Sequence, residues 1–113
     1  MHEMSLTEGV VEILIEESRK QGFSRVKVVR LEIGAIGGVD PLAMEFCFDA
    51  VTRGTLAEGA KLEIIRTPGQ GWCLDCGKTV ELTERFGACP ECGAYHVQMT
   101  GGDEMRVKEL EVE

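Results

Sequence analysis

The chain has 113 residues, 43% of them hydrophobic, and a formal net charge of −8 from 20 acidic and 12 basic residues. This length suits one compact domain, or one domain that carries a small module. Lysine and arginine form no cluster anywhere in the sequence, so we expect neither a nucleic acid nor an anionic membrane as partner, because both require clustered basic residues.

The first predicted element is an amphipathic helix over residues 5–21, because apolar side chains recur at helical spacing. Ser5 and Glu8 fit a capping box at its start, and Gly22 suits its end. The side chains expected to face the core are Leu6, Val10, Ile13 and Leu14.

A strand is predicted over residues 24–33, followed by a loop at 34–39. Asp40 and Pro41 then predict the start of a second helix, because aspartate caps helices and proline suits the first helical position. This helix is expected to run through Arg53. Its broad apolar face consists of Leu42, Met44, Phe46, Phe48, Ala50 and Val51.

A second strand is predicted over 61–67, and the strand–helix–strand order allows it to lie parallel to the first strand. Because a lone strand is unstable, we expect the final strand in 104–113 to return to the same sheet. The predicted fold is α/β, with two helices packed on a small mixed β-sheet and an inserted four-cysteine module that resembles a zinc ribbon. The predicted domains are 1–67 plus 101–113, and 68–100.

The predicted compartment is the cytoplasm. The first residues lack the basic start and long apolar core of a signal peptide, and no apolar run is long enough to span a bilayer. Five cysteines in a cytoplasmic chain are expected to stay reduced, which favours metal binding over disulfides. Cys47, on the apolar face of the second helix, is expected to be a small buried hydrophobic residue.

Two C-x-x-C pairs predict a metal site. Each pair presents two thiolates from a tight turn, and two facing pairs make a tetrahedral four-cysteine site that suits structural Zn(II). Four thiolates leave no coordination position for a substrate water, so the site is not expected to be catalytic. An iron–sulfur cluster is compatible with the same spacing. The four predicted ligands are Cys73, Cys76, Cys89 and Cys92.

The first three residues, MHE, carry a second possible metal site. The α-amine of Met1, the deprotonated amide nitrogen of His2 and the imidazole Nδ1 form fused five- and six-membered chelate rings, and Glu3 completes the plane through its amide nitrogen or carboxylate. Such a nitrogen-rich tetragonal site suits Ni(II) or Cu(II) rather than zinc. On chemistry alone, a frayed chain end with no function is the competing interpretation.

Across its whole length the sequence resembles the hydrogenase nickel-incorporation family, HypA/HybF. The matching segments, in order, are MHE, VRLEIGAIGGVDP, EGAKLEI, the two C-x-x-C pairs and the closing GGDEMRVKELEVE. MHE alone is a weak signal, whereas these segments together, in this order and at this length, are specific. The spacing between the two cysteine pairs is short for a zinc ribbon, and neither pair contains a histidine.

The resemblance implies a nickel metallochaperone that works with a HypB-type GTPase and delivers Ni(II) to the large subunit of [NiFe]-hydrogenase. It places the nickel ligands at Met1, His2 and Glu3, and gives Asp40 a weaker claim beside its role as a helix cap. It places Zn(II) at the four cysteines. His96, just after them, is expected to be a solvated surface histidine rather than a ligand of a shared metal.

Two other functions were considered for this sequence, a protein-binding adaptor and an enzyme. An acidic zinc-ribbon adaptor that binds another protein without nickel is the main alternative, because the cysteine module carries more acidic than basic residues. An enzyme is not expected, since no nucleophile and base are evident and the chain has two histidines. The sequence allows a monomer or a homodimer.

Overall fold

The computed structural model describes residues 2–113, which form two helices and six strands in two three-stranded sheets. The strand orders are β2-β1-β6 and β4-β3-β5. No helix in the described part of the chain is long and apolar enough to cross a membrane. The elements are α1 (His2–Gln21), β1 (Val26–Gly34), α2 (Pro41–Val51), β2 (Lys61–Thr67), β3 (Gly69–Cys73), β4 (Lys78–Leu82), β5 (Val97–Gly101) and β6 (Met105–Val112).

The first sheet pairs β1 with β2 in parallel. At the start of β1, the amide of Val26 donates to the carbonyl oxygen of Leu56, shortly before β2 (3.0 Å). At the other end, the amide of Ala35 donates to the carbonyl oxygen of Thr67 (2.8 Å). The two strands therefore begin together and end together, which confirms the arrangement predicted from the strand–helix–strand order.

The closing strand β6 returns to this sheet, as predicted, and lies on the other side of β1. The amide of Glu113 donates to the carbonyl oxygen of Arg25 (2.9 Å), so the end of β6 lies beside the start of β1. The amide of Gly34 donates to the carbonyl oxygen of Glu104 (2.8 Å) at the opposite end. The strands β1 and β6 are antiparallel, and the sheet is mixed.

Helix α1 begins at His2, three residues before the predicted start. Ser5 therefore lies inside the helix, and the predicted capping box is wrong. The end agrees with the prediction, because the helix stops at Gln21 and the amide of Gly22 donates to the carbonyl oxygen of Ser18 (2.8 Å).

The buried face of α1 is rotated relative to the predicted one. Ile13 is 45% exposed, whereas Thr7 is fully buried. A buried hydroxyl needs a partner, and the Oγ1 of Thr7 donates to the carbonyl oxygens of Glu3 and Met4, each at 2.9 Å. The buried residues of the helix are Thr7, Val10, Val11 and Leu14.

Helix α2 starts as predicted and ends at Val51, two residues before the predicted end. The Thr52 hydroxyl donates to the carbonyl oxygen of Phe48 (2.7 Å) and so occupies one of the last backbone acceptors of the helix. Cys47 is buried, as predicted. The apolar face is divided: Met44 and Phe48 are buried, whereas the side of the helix that carries Phe46 faces solvent.

The chain divides into two compact units. The first contains the residues through Leu31 with Asp40–Ile64 and Val107–Glu113. Both helices belong to it, and they contact one another. The second contains Glu32–Val39 and Ile65–Arg106, and it includes the whole of the second sheet.

Three glycines in the second unit bring backbone segments into direct contact. A Cβ atom on Gly34 would lie 1.9 Å from the carbonyl oxygen of Gly102. A Cβ atom on Gly102 would lie 2.3 Å from the Cα of Gly69, and one on Gly69 would lie 2.6 Å from the carbonyl oxygen of Leu82. Each of these neighbours is backbone, so a side chain at any of the three positions requires the main chain to move.

We expect Gly34→Ala to destabilise the second unit strongly. Inserting a methyl group into a packed interior costs about 1–3 kcal/mol, and a clash with main chain belongs at the upper end. In a domain of this size, that cost lowers the melting temperature by about 10 °C or more. Thermal unfolding followed by circular dichroism measures the change.

Gly9→Ala is the matched control for this substitution. Nothing lies within 4 Å of a Cβ atom on Gly9, which is inside α1, so alanine there is expected to stabilise the helix by about 0.5–1 kcal/mol. A wild-type melting temperature for Gly34→Ala would contradict the close packing of these glycines.

Candidate metal centres

The four cysteines of the two C-x-x-C pairs meet at one point of the second unit. The Sγ atoms of Cys73 and Cys92 are 3.7 Å apart, and those of Cys76 and Cys89 are 3.9 Å apart. All four sulfur atoms lie within 4.8 Å of one another. Tetrahedral zinc with Zn–S bonds of about 2.3 Å places its sulfur ligands about 3.8 Å apart, so the donor set and its spacing fit Zn(II).

Local backbone geometry explains why each pair presents its thiols together. Cys73 ends β3, and the chain then turns sharply so that Gly77 adopts φ +65° and donates its amide to the carbonyl oxygen of Cys73 (2.8 Å). Gly93 adopts φ +75° and donates in the same way to Cys89 (2.8 Å). Glycine tolerates this left-handed conformation without steric cost. The amide of Cys76 also approaches the Sγ of Cys73 (3.4 Å).

The sulfur atoms differ in their exposure. Cys73 and Cys89 are buried in a small core with Val80 and Leu82, and Cys76 packs against that core. Cys92 is exposed. A metal held here would be covered on most sides by protein and would contribute a large part of the cohesion of this sheet.

Hydrogen bonds shift the thiol pKa values in opposite directions. Backbone amides donating to the sulfur of Cys89, chiefly that of Cys92 and then that of Glu91, lower its pKa to about 7. Hydrogen bonds with the side chains of Cys92 and Cys73, together with burial, raise the pKa of Cys76 to about 12. The cluster therefore does not hold four negative charges by itself, and a bound divalent cation would supply the compensating charge.

His96 lies beside this cluster and outside it. Its Nδ1 is 3.0 Å from the Oδ2 of Asp75, and both side chains are exposed. Among the described residues, the side chains that cluster as a possible metal site are the four cysteines. Sequence reasoning missed Asp75 as the partner of His96; its position inside the first C-x-x-C pair was the available signal.

The second predicted site lies at the amino terminus, where Met1 falls outside the described residues. His2 is the first residue of α1 and its side chain is exposed, with Nδ1 at 3.8 Å from the Oε2 of Glu3. The amide of Asp40 donates to the same Oε2 at 3.3 Å. The structure therefore brings Glu3 and Asp40 together across 37 residues of sequence, which local patterns do not reveal.

Glu3 and Asp40 have defined partners. The backbone amide of Glu3 itself and that of Asp40 donate to the Glu3 carboxylate and lower its pKa, so this group is anionic at neutral pH. The Oδ1 of Asp40 accepts from the amide of Leu42 (3.0 Å), which confirms the predicted helix cap. The start of α1 is thereby joined to the start of α2 through one carboxylate.

Comparison with known proteins agrees with this architecture. The family model described as "Hydrogenase/urease nickel incorporation, metallochaperone, hypA" matches residues 1–112. The hydrogenase maturation factor HypA of Dechloromonas aromatica (strain RCB) is 58% identical over all of both chains, and that of Methylocella silvestris is 60% identical over all of both. The solution structure of the Ni metallochaperone HypA from Helicobacter pylori superposes with a TM-score of 0.72 at 24% identity, covering 99% of this chain and 97% of that one. At that identity the superposition shows a shared fold, and the family assignment comes from the sequence matches. The chain belongs to the HypA family of nickel-incorporation metallochaperones.

Proposed function

We propose that this protein binds Ni(II) at its amino terminus and delivers it to [NiFe]-hydrogenase during maturation of that enzyme. The observation that carries the proposal is the position of His2 and Glu3 in the first turn of α1. Backbone amides in a first turn have no acceptor within the helix, so that of His2 is available as a metal ligand once deprotonated. The exposed imidazole of the same residue supplies a second nitrogen.

Coordination chemistry gives the site its selectivity. The amine of Met1, the amide nitrogen of His2 and its Nδ1 form fused chelate rings in one plane, a geometry that suits Ni(II) and not zinc. The partial positive charge of the helix start favours the deprotonated amide. Glu3 supplies the fourth donor through its amide nitrogen or its carboxylate, and the carboxylate also accepts a hydrogen bond from the amide of Asp40. Asp40, which caps α2, is the weaker candidate.

The four cysteines hold structural Zn(II) in this proposal. Their closed tetrahedral donor set offers no position for a substrate, so the metal stabilises the module of residues 68–100 rather than catalysing a reaction. Residues 1–67 and 101–113 form the nickel-binding domain. The two sites prefer different metals, because four thiolates in a tetrahedral arrangement favour zinc and nitrogen donors in a plane favour nickel.

Delivery requires partners. We propose that a HypB-type GTPase and the large subunit of [NiFe]-hydrogenase exchange nickel with this chain in the cytoplasm, and that this chain itself catalyses no reaction. The imidazole and the α-amine each bind a proton in competition with the metal, so a protein contact that protonates or displaces either one releases the metal.

Metal content tests the proposal directly. Protein that begins at its native Met1 is incubated with nickel, passed through gel filtration and analysed beside His2→Ala. We expect one zinc per chain in both proteins and nickel in the wild type alone, because the substitution removes one ligand and leaves the cysteines intact. Circular dichroism of both proteins verifies that the fold is unchanged.

Zinc in both proteins with nickel in neither would contradict the proposal. That result would favour the alternative function, an acidic zinc-ribbon adaptor that binds another protein without nickel. Equal nickel in both proteins would place the nickel site elsewhere in the chain.

A further inference from the structure

The loop of residues 35–39, which follows β1, is held by other residues of the second unit. The amide of Ala35 donates to the carbonyl oxygen of Thr67 (2.8 Å), and that of Ile36 donates to the carbonyl oxygen of Gly102 (3.1 Å). All of these residues belong to the second unit. These backbone hydrogen bonds hold the start of the loop, and a side chain holds its end.

That side chain is Arg66, near the end of β2. Its Nη1 donates to the carbonyl oxygen of Val39 (3.3 Å), and its Nη2 donates to that of Ala35 (3.4 Å). Because a guanidinium is planar and rigid, two donors from one such group fix the two carbonyl oxygens relative to each other. Arg66 therefore determines the direction in which the chain leaves the loop.

The carbonyl of Val39 and the amide of Asp40 belong to one peptide group. Such a group is planar and almost always trans, so the direction of its carbonyl sets the direction of its N–H. This N–H donates to the Oε2 of Glu3 at 3.3 Å. A hydrogen bond accepted by the carbonyl also polarises the group and strengthens the bond that its N–H donates. Val39 belongs to the second unit and Asp40 to the first, so each hydrogen bond lies within one unit, and the covalent peptide bond joins them.

Glu3 is a proposed nickel ligand, and two contacts determine its position. Its carbonyl oxygen accepts from the hydroxyl of Thr7 (2.9 Å), and its carboxylate accepts from the amide of Asp40. A chain end usually frays, so contacts that hold the first turn of α1 keep the ligands in place before the metal binds. Outer contacts of this kind orient the ligands of metal sites in general.

We propose that Arg66 is a positioning residue for nickel binding, which orients the peptide group between Val39 and Asp40 so that Glu3 is held in the conformation that receives Ni(II). The inference rests on the proposed function, because it assigns a supporting residue to that site. Arg66 is not itself a ligand, since a guanidinium stays protonated and has no lone pair to offer a metal. Its effect on nickel passes through one peptide group and one carboxylate.

Charge and position make opposite predictions for the loss of Arg66. Ni(II) carries two positive charges, so removal of a guanidinium by itself lowers repulsion and favours metal binding. Loss of orientation weakens binding instead, because Glu3 then has more conformations to give up when the metal binds. A fall in nickel affinity therefore identifies positioning, and a rise identifies a general effect of charge.

The test compares nickel binding by three zinc-loaded proteins that begin at their native Met1: the wild type, Arg66→Met and Arg85→Met. Arg85 is the matched control, because its Nη2 donates to the carbonyl oxygen of Ile36 in the same loop (3.5 Å) and not to the peptide group that contacts Glu3. Both substitutions remove one positive charge from an exposed side chain. Titration with Ni(II), followed by its visible absorption, gives the affinities, and melting temperatures verify that each protein is folded.

We expect the nickel affinity of Arg66→Met to fall about tenfold, the lower end of the effect of residues that support a metal ligand. Arg85→Met should keep the affinity of the wild type. A second measurement needs no nickel and follows the amide proton of Asp40 by NMR in the zinc-loaded protein. This proton should exchange with solvent faster in Arg66→Met and at the wild-type rate in Arg85→Met.

Unchanged or higher nickel affinity in Arg66→Met would overturn the inference, and so would an equal loss of affinity in Arg85→Met. A wild-type exchange rate of the Asp40 amide in Arg66→Met would overturn it as well, because the peptide group would then keep its orientation without the guanidinium. In each of these results the proposed function stands, since the wild-type chain binds nickel. A wild-type chain that binds no nickel would contradict the proposed function, and the inference with it.

Discussion

Cys73→Ser is expected to abolish zinc binding and to unfold the sheet β4-β3-β5. Cys73 is fully buried, and its sulfur lies 3.7 Å from that of Cys92. Serine is a poor zinc ligand, so three thiolates remain where four are needed. Apart from cysteines, the buried core of this module consists of Val80 and Leu82. Structural zinc contributes about 10–16 kcal/mol of apparent binding free energy in small zinc domains, far more than two such side chains provide.

Metal analysis and amide hydrogen exchange measure this effect together. Zinc should fall from one per chain to nearly none, and the amides of the three strands should lose protection, while those of α1 stay protected. Cys47→Ala is the control, because this cysteine is buried in α2 and belongs to the other unit. It should keep its zinc. Full protection of the second sheet in zinc-free Cys73→Ser would show that the metal is dispensable, and visible absorption of bound iron would indicate a cluster instead.

Adding a Gly-Ser dipeptide before Met1 is expected to abolish nickel binding and to leave zinc and fold unchanged. The extension converts the proposed ligand amine into a peptide nitrogen and moves the new amine out of the chelate plane. Changes in groups that merely support a ligand weaken metal binding roughly 10–100-fold, and loss of a ligand in a fused chelate should exceed that. Nickel titration of the two proteins, each already loaded with zinc, measures the difference.

The same dipeptide added after Glu113 is the control, since it changes the chain length equally and leaves the amine in place. It should bind nickel as the native chain does. Undiminished nickel affinity in the amino-terminally extended protein would rule out the amine as ligand and leave the site to side chains. The result is independent of the zinc prediction, because the two sets of ligands share no residue.

Local signals in the sequence were sufficient for several elements. The strand β2 spans Lys61–Thr67, the same range that the sequence predicted, and α2 starts where Asp40 and Pro41 predict it. The four cysteines lie together, as expected from two C-x-x-C pairs at this spacing, which typically form one metal site. In each case, residues close together in the sequence determine the local structure, and contacts with distant parts of the chain do not change it.

The remaining differences arise from contacts that no local pattern contains. Helix α1 extends to His2 where the backbone of Asp40 binds Glu3, a tertiary contact invisible from residues 1–10. The capping signal at Ser5 is overridden as a result. Periodicity also finds both apolar rows of α2 without distinguishing which one faces the core. Met44 is buried and Phe46 is exposed because the other elements of the unit pack against only one side of the helix.

The contact between Gly34, Gly69 and Gly102 constrains how this sequence can vary. Where side chains meet, a larger residue on one side can be offset by a smaller one on the other, and the two positions then change together. Here the atom nearest to each of the three positions belongs to the main chain, which has no smaller form. These three positions should therefore be invariant among functional relatives and should show no covariation with one another. A method that infers contacts from paired substitutions will not detect them.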